Sequence, residues 1–200
     1  MRVLIAPDKF KGTLTSVEAA DAIRTGVLGR WPGATCTVVP IADGGEGTLE
    51  ALWVDGARRL NARVRGPLDE EVDADWVLLP DATAVLESAR ACGLGLVAPG
   101  PSPASSLACH SFGVGQLIRA ALDVGARRIV VGLGGSACSD GGSGALRALG
   151  AELRGGDGRP VPLGGGALLS AVALELNGLD PRLAGTEIVV ATDVSAPLTG

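Results

Sequence analysis

RIVVGLGGSACSDGGSG, residues 128–144, decides the fold class. Arg128 to Val131 is a short run fit for a buried strand, and it passes without a spacer into glycine-rich chain. Beyond that chain Leu146 and Leu149 suggest a helix. A strand that hands a glycine loop to a helix belongs to an open α/β sheet, where ligands sit beyond the carboxyl ends of the strands. Gly134, Gly135, Gly141 and Gly142 let backbone approach an anion, and Ser136 and Ser139 add hydroxyl donors for phosphate oxygens. A flexible glycine turn is the other reading of the same residues.

Moving outward, Val114, Leu117, Ile118, Ala121 and Leu122 keep helical spacing, whereas APGPSPASS at 98–106 has the composition of an irregular connection. Arg63 to Ser88 reads as β-rich, with turns at GPLD (66–69) and PDAT (80–83). Nearer the start, Arg2–Ala6 is a strand. Thr15-Ser16-Val17-Glu18 is a capping box for a helix with an apolar face of Val17, Ala20, Ile23, Val27 and Leu28. Cys36–Pro40 is a second strand that leads into ADGGEG at 42–47. In the other direction GGDGRP at 155–160 is a turn, and Thr186–Ala191 is a strand delivering Thr192 and Asp193 to a loop. The expectation is a two-lobed α/β protein with a largely parallel sheet. Its segments are an α/β unit over 1–64, a β-rich segment over 65–104 and a second α/β unit over 105–200.

Composition narrows the function. With 46% hydrophobic and 20% charged residues and a net charge of −5, the chain reads as a globular protein with no basic stripe for nucleic acid. The first apolar run is too short for a signal peptide or a membrane span, so a cytoplasmic location is expected. Four scattered cysteines form no CxxC pair, and one histidine, His110, excludes multi-histidine metal sites. A small-molecule partner is expected, with a homodimer as the assembly kept open.

No G-x-x-x-x-G-K-[ST] occurs, so a P-loop is excluded. Gly132-x-Gly134-x-x-Ala137 matches a dinucleotide fingerprint, but Gly141-Gly142 postpones the helix, and the acid at the expected distance, Asp157, lies in a turn. A nicotinamide-binding oxidoreductase is therefore the alternative, alongside a ligand-binding fragment without activity. APDKFKG at 6–12 holds Lys9 and Lys11, the chain's only lysines, with Asp8 beside them. A mobile ammonium suits a phosphoryl group in transfer. Asp43, Glu46, Asp140 and Asp193 all lie in loops after predicted strands, which a parallel sheet could bring to one edge.

APDKFKG (6–12), ADGGEGT (42–48), FGVGQLI (112–118) and GLGGSACSDGGSGALRALG (132–150) together resemble bacterial glycerate kinases, whose pattern reads APDSFKG, ADGGEGT and GIGGSATNDGGAG. Glu87-Ser88-Ala89, Cys92-Gly93-Leu94, Thr192-Asp193-Val194 and Pro197-Leu198 extend the likeness over the whole chain. The resemblance implies ATP- and Mg²⁺-dependent phosphorylation of D-glycerate in a cleft between lobes. Carried onto this chain, it puts phosphates on Gly134, Gly135, Ser136, Asp140, Gly141 and Gly142, and Mg²⁺ on Asp43 and Asp140. Lys11 and Asp43 would act on the transferred group, with Asp193 taking the hydroxyl proton. Asp8, Lys9, Gly44, Gly45, Glu46 and Arg90 would bind substrate. Lys9 stands where relatives carry Ser, Cys138-Ser139 where they carry Thr-Asn, and Thr192 where a Cys is common. Family members run to nearly twice this length.

Overall fold

The computed structural model describes residues 1–10, 13–39, 41–42, 44–45 and 47–195. In chain order the elements are β1 (Arg2–Ile5), α1 (Ser16–Arg30), β2 (Thr35–Val38), α2 (Thr48–Ala51), β3 (Arg58–Arg65), β4 (Glu71–Leu78), β5 (Thr83–Glu87) and α3 (Ala89–Cys92). They continue with α4 (Pro103–Ala108), α5 (Phe112–Asp123), β6 (Arg128–Gly132), α6 (Ser143–Ala148), β7 (Glu152–Gly155), β8 (Ala171–Glu175) and β9 (Glu187–Ala191).

The predicted capping box is present. Thr15 Oγ1 accepts the Glu18 N–H at 3.2 Å, and the Glu18 carboxylate accepts the Thr15 N–H at 2.8 Å, which provides acceptors for backbone donors at the start of α1. The predicted apolar face differs: Ser16, Ala19 and Ala20 are buried, while Val17 and Ile23 stay exposed. Among the described residues α1 is covered only near its N-terminal end. β1 and β2 form a separate parallel pair.

The main sheet has the order β3-β4-β5-β6-β9. β5, β6 and β9 are mutually parallel, whereas β4 runs antiparallel to both of its neighbours, β3 and β5. Short turns at 66–70 and 79–82 permit only antiparallel pairing, so the β-rich stretch becomes the antiparallel flank of this sheet. The boundary expected at 64/65 cuts β3 before its last residue, and the one at 104/105 cuts α4. The supposed irregular connection contains α4, because Pro103 sits in its first turn, where no N–H is needed. Ser102 and Ser105 cap it reciprocally. The β7–β8 hairpin was not expected.

Strand alternation sorts the core. Ala84 and Leu86 of β5, with Trp76 and Ile129, pack with Leu117, Ile118 and Ala121 of α5, while Val85 and Val77 pack with Leu49 of α2. Leu86 and Leu117 are wholly buried, each stabilising the fold by roughly 1.5–3 kcal/mol. Among the described residues no helix is long and apolar enough to cross a membrane.

Candidate functional site

Parallel register brings the ends of β5, β6 and β9 together, with Glu87 beside Gly132 and Gly132 beside Ala191. The chain that follows each strand therefore emerges at one edge. Gly44 docks on that edge: Gly134 donates its N–H to the Gly44 carbonyl at 3.1 Å, and Leu133 donates to the Ala191 carbonyl at 3.1 Å. A Cβ on Gly132 would stand 2.2 Å from the Gly44 oxygen, so only glycine permits this approach. Gly44, Gly45 and Gly134 thus meet as a backbone junction. Lys11, Asp43 and Glu46 lie outside the described residues.

Asp140 anchors the glycine loop. It is 1% exposed. Its Oδ2 accepts from the Ser111 N–H, the Ser111 hydroxyl and the Gly144 N–H, each at 2.9 Å, and its Oδ1 accepts from the Gly142 N–H at 3.2 Å. Gly141 and Gly142, with φ of 58° and 80°, turn the chain so that these donors face one carboxylate. The Ser111 hydroxyl in turn accepts the Ala145 N–H at 3.0 Å, joining the first turns of α5 and α6. Asp140 thus anchors the loop through both of its oxygens, a role that the Mg²⁺ expectation for it does not include. No group of three or more His, Cys, Asp and Glu side chains suited to a metal occurs among the described residues.

The hydroxyls expected to face phosphate bond inside the chain. Ser136 Oγ donates to the Leu133 carbonyl at 3.0 Å and lies 2.6 Å from Ser88 Oγ, and Ser139 Oγ donates to the Ser106 carbonyl. The N–H groups of Gly135, Ser136 and Gly141 have no acceptor among the described residues. The loop's capacity to bind an anion thus rests on backbone rather than on hydroxyls.

A cleft of about 600 Å³ lies beside this edge, and Asp8, Lys9, Gly47, Glu50, Ala89 and Arg90 are among the residues lining it. The adjacent Asp8 and Lys9 line the same cleft as Arg90, which is far from them in sequence. Lys9 Nζ stands 3.9 Å from Asp8 Oδ1. Arg90 is held by Glu87 at 3.0 Å and lies 3.7 Å from Glu50. Burial works against its charge, but the hydrogen bond and charge of Glu87, with Glu50 beyond, hold its pKa above the ordinary arginine value. The glycine loop does not line the cleft. It backs onto it, and a Cβ on Gly135 would stand 3.4 Å from Ala89 Cβ. Asp193 is exposed in the loop after β9 and does not line the cleft either.

Sequence reading gave no role to Glu87, Ser88 and Ser111. Glu87 is wholly buried, accepts the Leu49 N–H at 3.1 Å and ion-pairs Arg90, so it ties α2 to the cleft wall. The available signal was a carboxylate closing the otherwise uncharged strand TAVLE. The dinucleotide fingerprint fails its structural context. α6 begins only at Ser143, and Asp157 accepts the Arg159 N–H at 3.0 Å in the turn after β7. His110 is buried, with Nε2 3.3 Å from Asp69 and Nδ1 accepting the Phe112 N–H at 3.3 Å.

Fold and edge together define a mixed-sheet α/β protein whose glycine loop, acidic loop and cation-bearing cleft gather at the carboxyl ends of its parallel strands. The family described as "Glycerate kinase family" matches residues 3–200, and the chain belongs to it. It is 45% identical over 203 residues to a glycerate kinase of Bacillus subtilis (strain 168), and 45% identical over 206 residues to a glycerate 2-kinase of Escherichia coli (strain K12). Each alignment covers 100% of this chain and 52% of the relative. The crystal structure of a candidate glycerate kinase 2 from Salmonella typhimurium LT2 superposes with a TM-score of 0.82 at 43% identity. It is matched over 100% of this chain and 54% of that one. The chain thus spans about half the length of the curated relatives it matches.

Proposed function

We propose that this chain carries the phosphate-handling edge and part of the substrate cleft of an ATP-dependent glycerate kinase, which transfers the γ-phosphoryl group to a hydroxyl of D-glycerate. The product is 2- or 3-phosphoglycerate, formed in the cytoplasm. One observation carries the reading: three N–H groups without an acceptor among the described residues sit on a glycine loop that backs onto a cleft lined by Lys9 and Arg90. Phosphoryl transfer requires positioning and charge neutralisation more than covalent chemistry. Gly135, Ser136 and Gly141 donate N–H groups to ATP phosphates, and Asp140 keeps those donors in place. Arg90, steadied by Glu87, receives the glycerate carboxylate, and Lys9 faces the transferred group together with Lys11. Asp193 accepts the hydroxyl proton, and Asp43 serves the transferred group. Mg²⁺ would offset phosphate charge in such a reaction, but no step is routed through it, because the described residues supply no ligand set.

The test is a coupled assay of ADP release on a version of the protein extended to the length of its curated relatives, with and without D-glycerate, read beside phosphorus NMR of the product; the 200 residues alone, which hold only part of the cleft, should show little or no turnover. Glycerate-dependent ADP release with a phosphoglycerate signal is the expected result. Quenching of nicotinamide fluorescence without ADP release would instead establish the oxidoreductase. ATP binding without turnover would establish a binding fragment.

A further inference from the structure

Cys92 and Cys138 lie 46 positions apart in sequence, yet their sulfurs stand 3.6 Å from each other. Cys92 ends α3 and is 1% exposed, whereas Cys138 is half-buried in the glycine loop. Backbone bonds already hold the two segments side by side: Ala137 donates to the Cys92 carbonyl at 2.7 Å, and Leu94 donates to the Gly135 carbonyl at 2.9 Å. A disulfide needs about 2.05 Å between sulfurs, so the pair has only about 1.5 Å to close. We infer that Cys92 and Cys138 are a peroxide-reactive thiol pair whose disulfide ties α3 to the glycine loop.

The two sulfurs differ in role. A hydrogen bond from Cys92 lowers the pKa of Cys138, although burial and the Asp140 charge oppose that shift. The same contact, followed by burial, pushes Cys92 up. Cys138 is the more exposed sulfur, so it is the one that peroxide reaches first, the access expected of an attacking thiol. Its thiolate attacks one oxygen of hydrogen peroxide and the O–O bond breaks. The departing hydroxide takes a proton to become water, leaving Cys138 as sulfenic acid. The Cys92 sulfur gives up its proton and attacks the Cys138 sulfur, the S–O bond breaks, and a second water leaves. Two electrons have passed from the thiols to the peroxide. Cys109 is buried, which pushes its pKa up, and neither it nor Cys36 has a sulfur partner among the described residues.

The disulfide would pull the loop that carries the Gly135 and Ser136 N–H groups. An effect on ATP rests on the function proposed above, but the cross-link itself does not. The experiment treats the folded chain with hydrogen peroxide, blocks the remaining thiols and maps peptides by mass spectrometry. It uses a Cys109→Ser variant, because Cys92 and Cys109 fall in one tryptic peptide. Expected is a dithiothreitol-reversible link between Cys92 and Cys138, with Cys138 consumed about tenfold or more faster than Cys36. Cys92→Ser should abolish the link and leave a Cys138 sulfenic acid that dimedone traps. Faster loss of Cys36, an intact Cys138, or a link only between two copies would each overturn the inference. A link that leaves ATP affinity unchanged would uphold the thiol pair and refute phosphate binding by this loop, whereas affinity falling about tenfold upholds both.

Discussion

Replacing Asp140 by Asn separates an anchor from a ligand. The best placement of the amide keeps its oxygen toward the three donors on Oδ2, two from Ser111 and one from Gly144, and turns its NH₂ toward the Gly142 N–H. Three bonds then survive without charge assistance, and the fourth becomes donor against donor. Bonds to a charged acceptor contribute about 1.5–3 kcal/mol against about 1 for neutral ones, so each surviving bond loses roughly 0.5–1 kcal/mol. With the lost bond, itself about 1.5–3 kcal/mol, the total is at least about 3 kcal/mol, or at least about 6 °C in Tm for a chain of this size. Asp140→Ala leaves every donor without its partner and should cost about 5 kcal/mol. Denaturant melts followed by circular dichroism measure both variants. Ser111→Ala combined with Asp140→Asn should cost less than the sum of the single changes, because the two side chains share one network. Stability of Asp140→Asn within about 0.5 kcal/mol of the parent, together with lost ATP or metal binding, would refute the anchor and restore a ligand role.

Gly132→Ala should cost about 1–3 kcal/mol, because its Cβ would stand 2.2 Å from the Gly44 carbonyl oxygen. Gly26→Ala in α1 meets nothing within 4 Å and should stabilise by about 0.5–1 kcal/mol. The same denaturant melts would contradict the docking of Gly44 if the two variants behaved alike. Asp180 has its pKa brought down from 3.8 to about 2, first by the side chain of Arg182 and then by its backbone N–H. The contribution of that pair is present above the ordinary aspartate value and is lost as pH falls through about 2. Asp180→Asn should therefore flatten the fall in stability across that acid range, and an unchanged slope in melts would remove the pair from the acid response.

Much of the local structure could be read from short-range chemistry. The Thr15–Glu18 capping box, the strand at 128–131 with its glycine loop and the helix at 114–122 each depend on residues within a few positions of one another. Where propensity misled, a neighbour decided. Pro103 looked like a break in composition, but Ser102 and Ser105 make it the start of a helix. Val17 and Ile23 have helical spacing, yet periodicity says nothing of what covers a face, and both stay exposed, at 47% and 44%.

The candidate site divides along the same line. Sequence alone singled out the glycine loop, the acidic loop and the cations, because glycine and charge at strand ends carry their chemistry in the residue type. Only the tertiary structure decided what each polar group faces. It turned Asp140 inward to four donors, directed the Ser136 and Ser139 hydroxyls to carbonyls, and paired the buried Glu87 with Arg90. It also set Cys92 against Cys138. Hydrogen bonds are short-range and directional, so the distant partners among these, Ser111 with Asp140, Ser106 with Ser139, Cys92 with Cys138 and Ser88 with Ser136, 29 to 48 positions apart, are fixed by the register of β5, β6 and β9 and by the docking of α5 and α6. No local pattern in the chain encodes those distances.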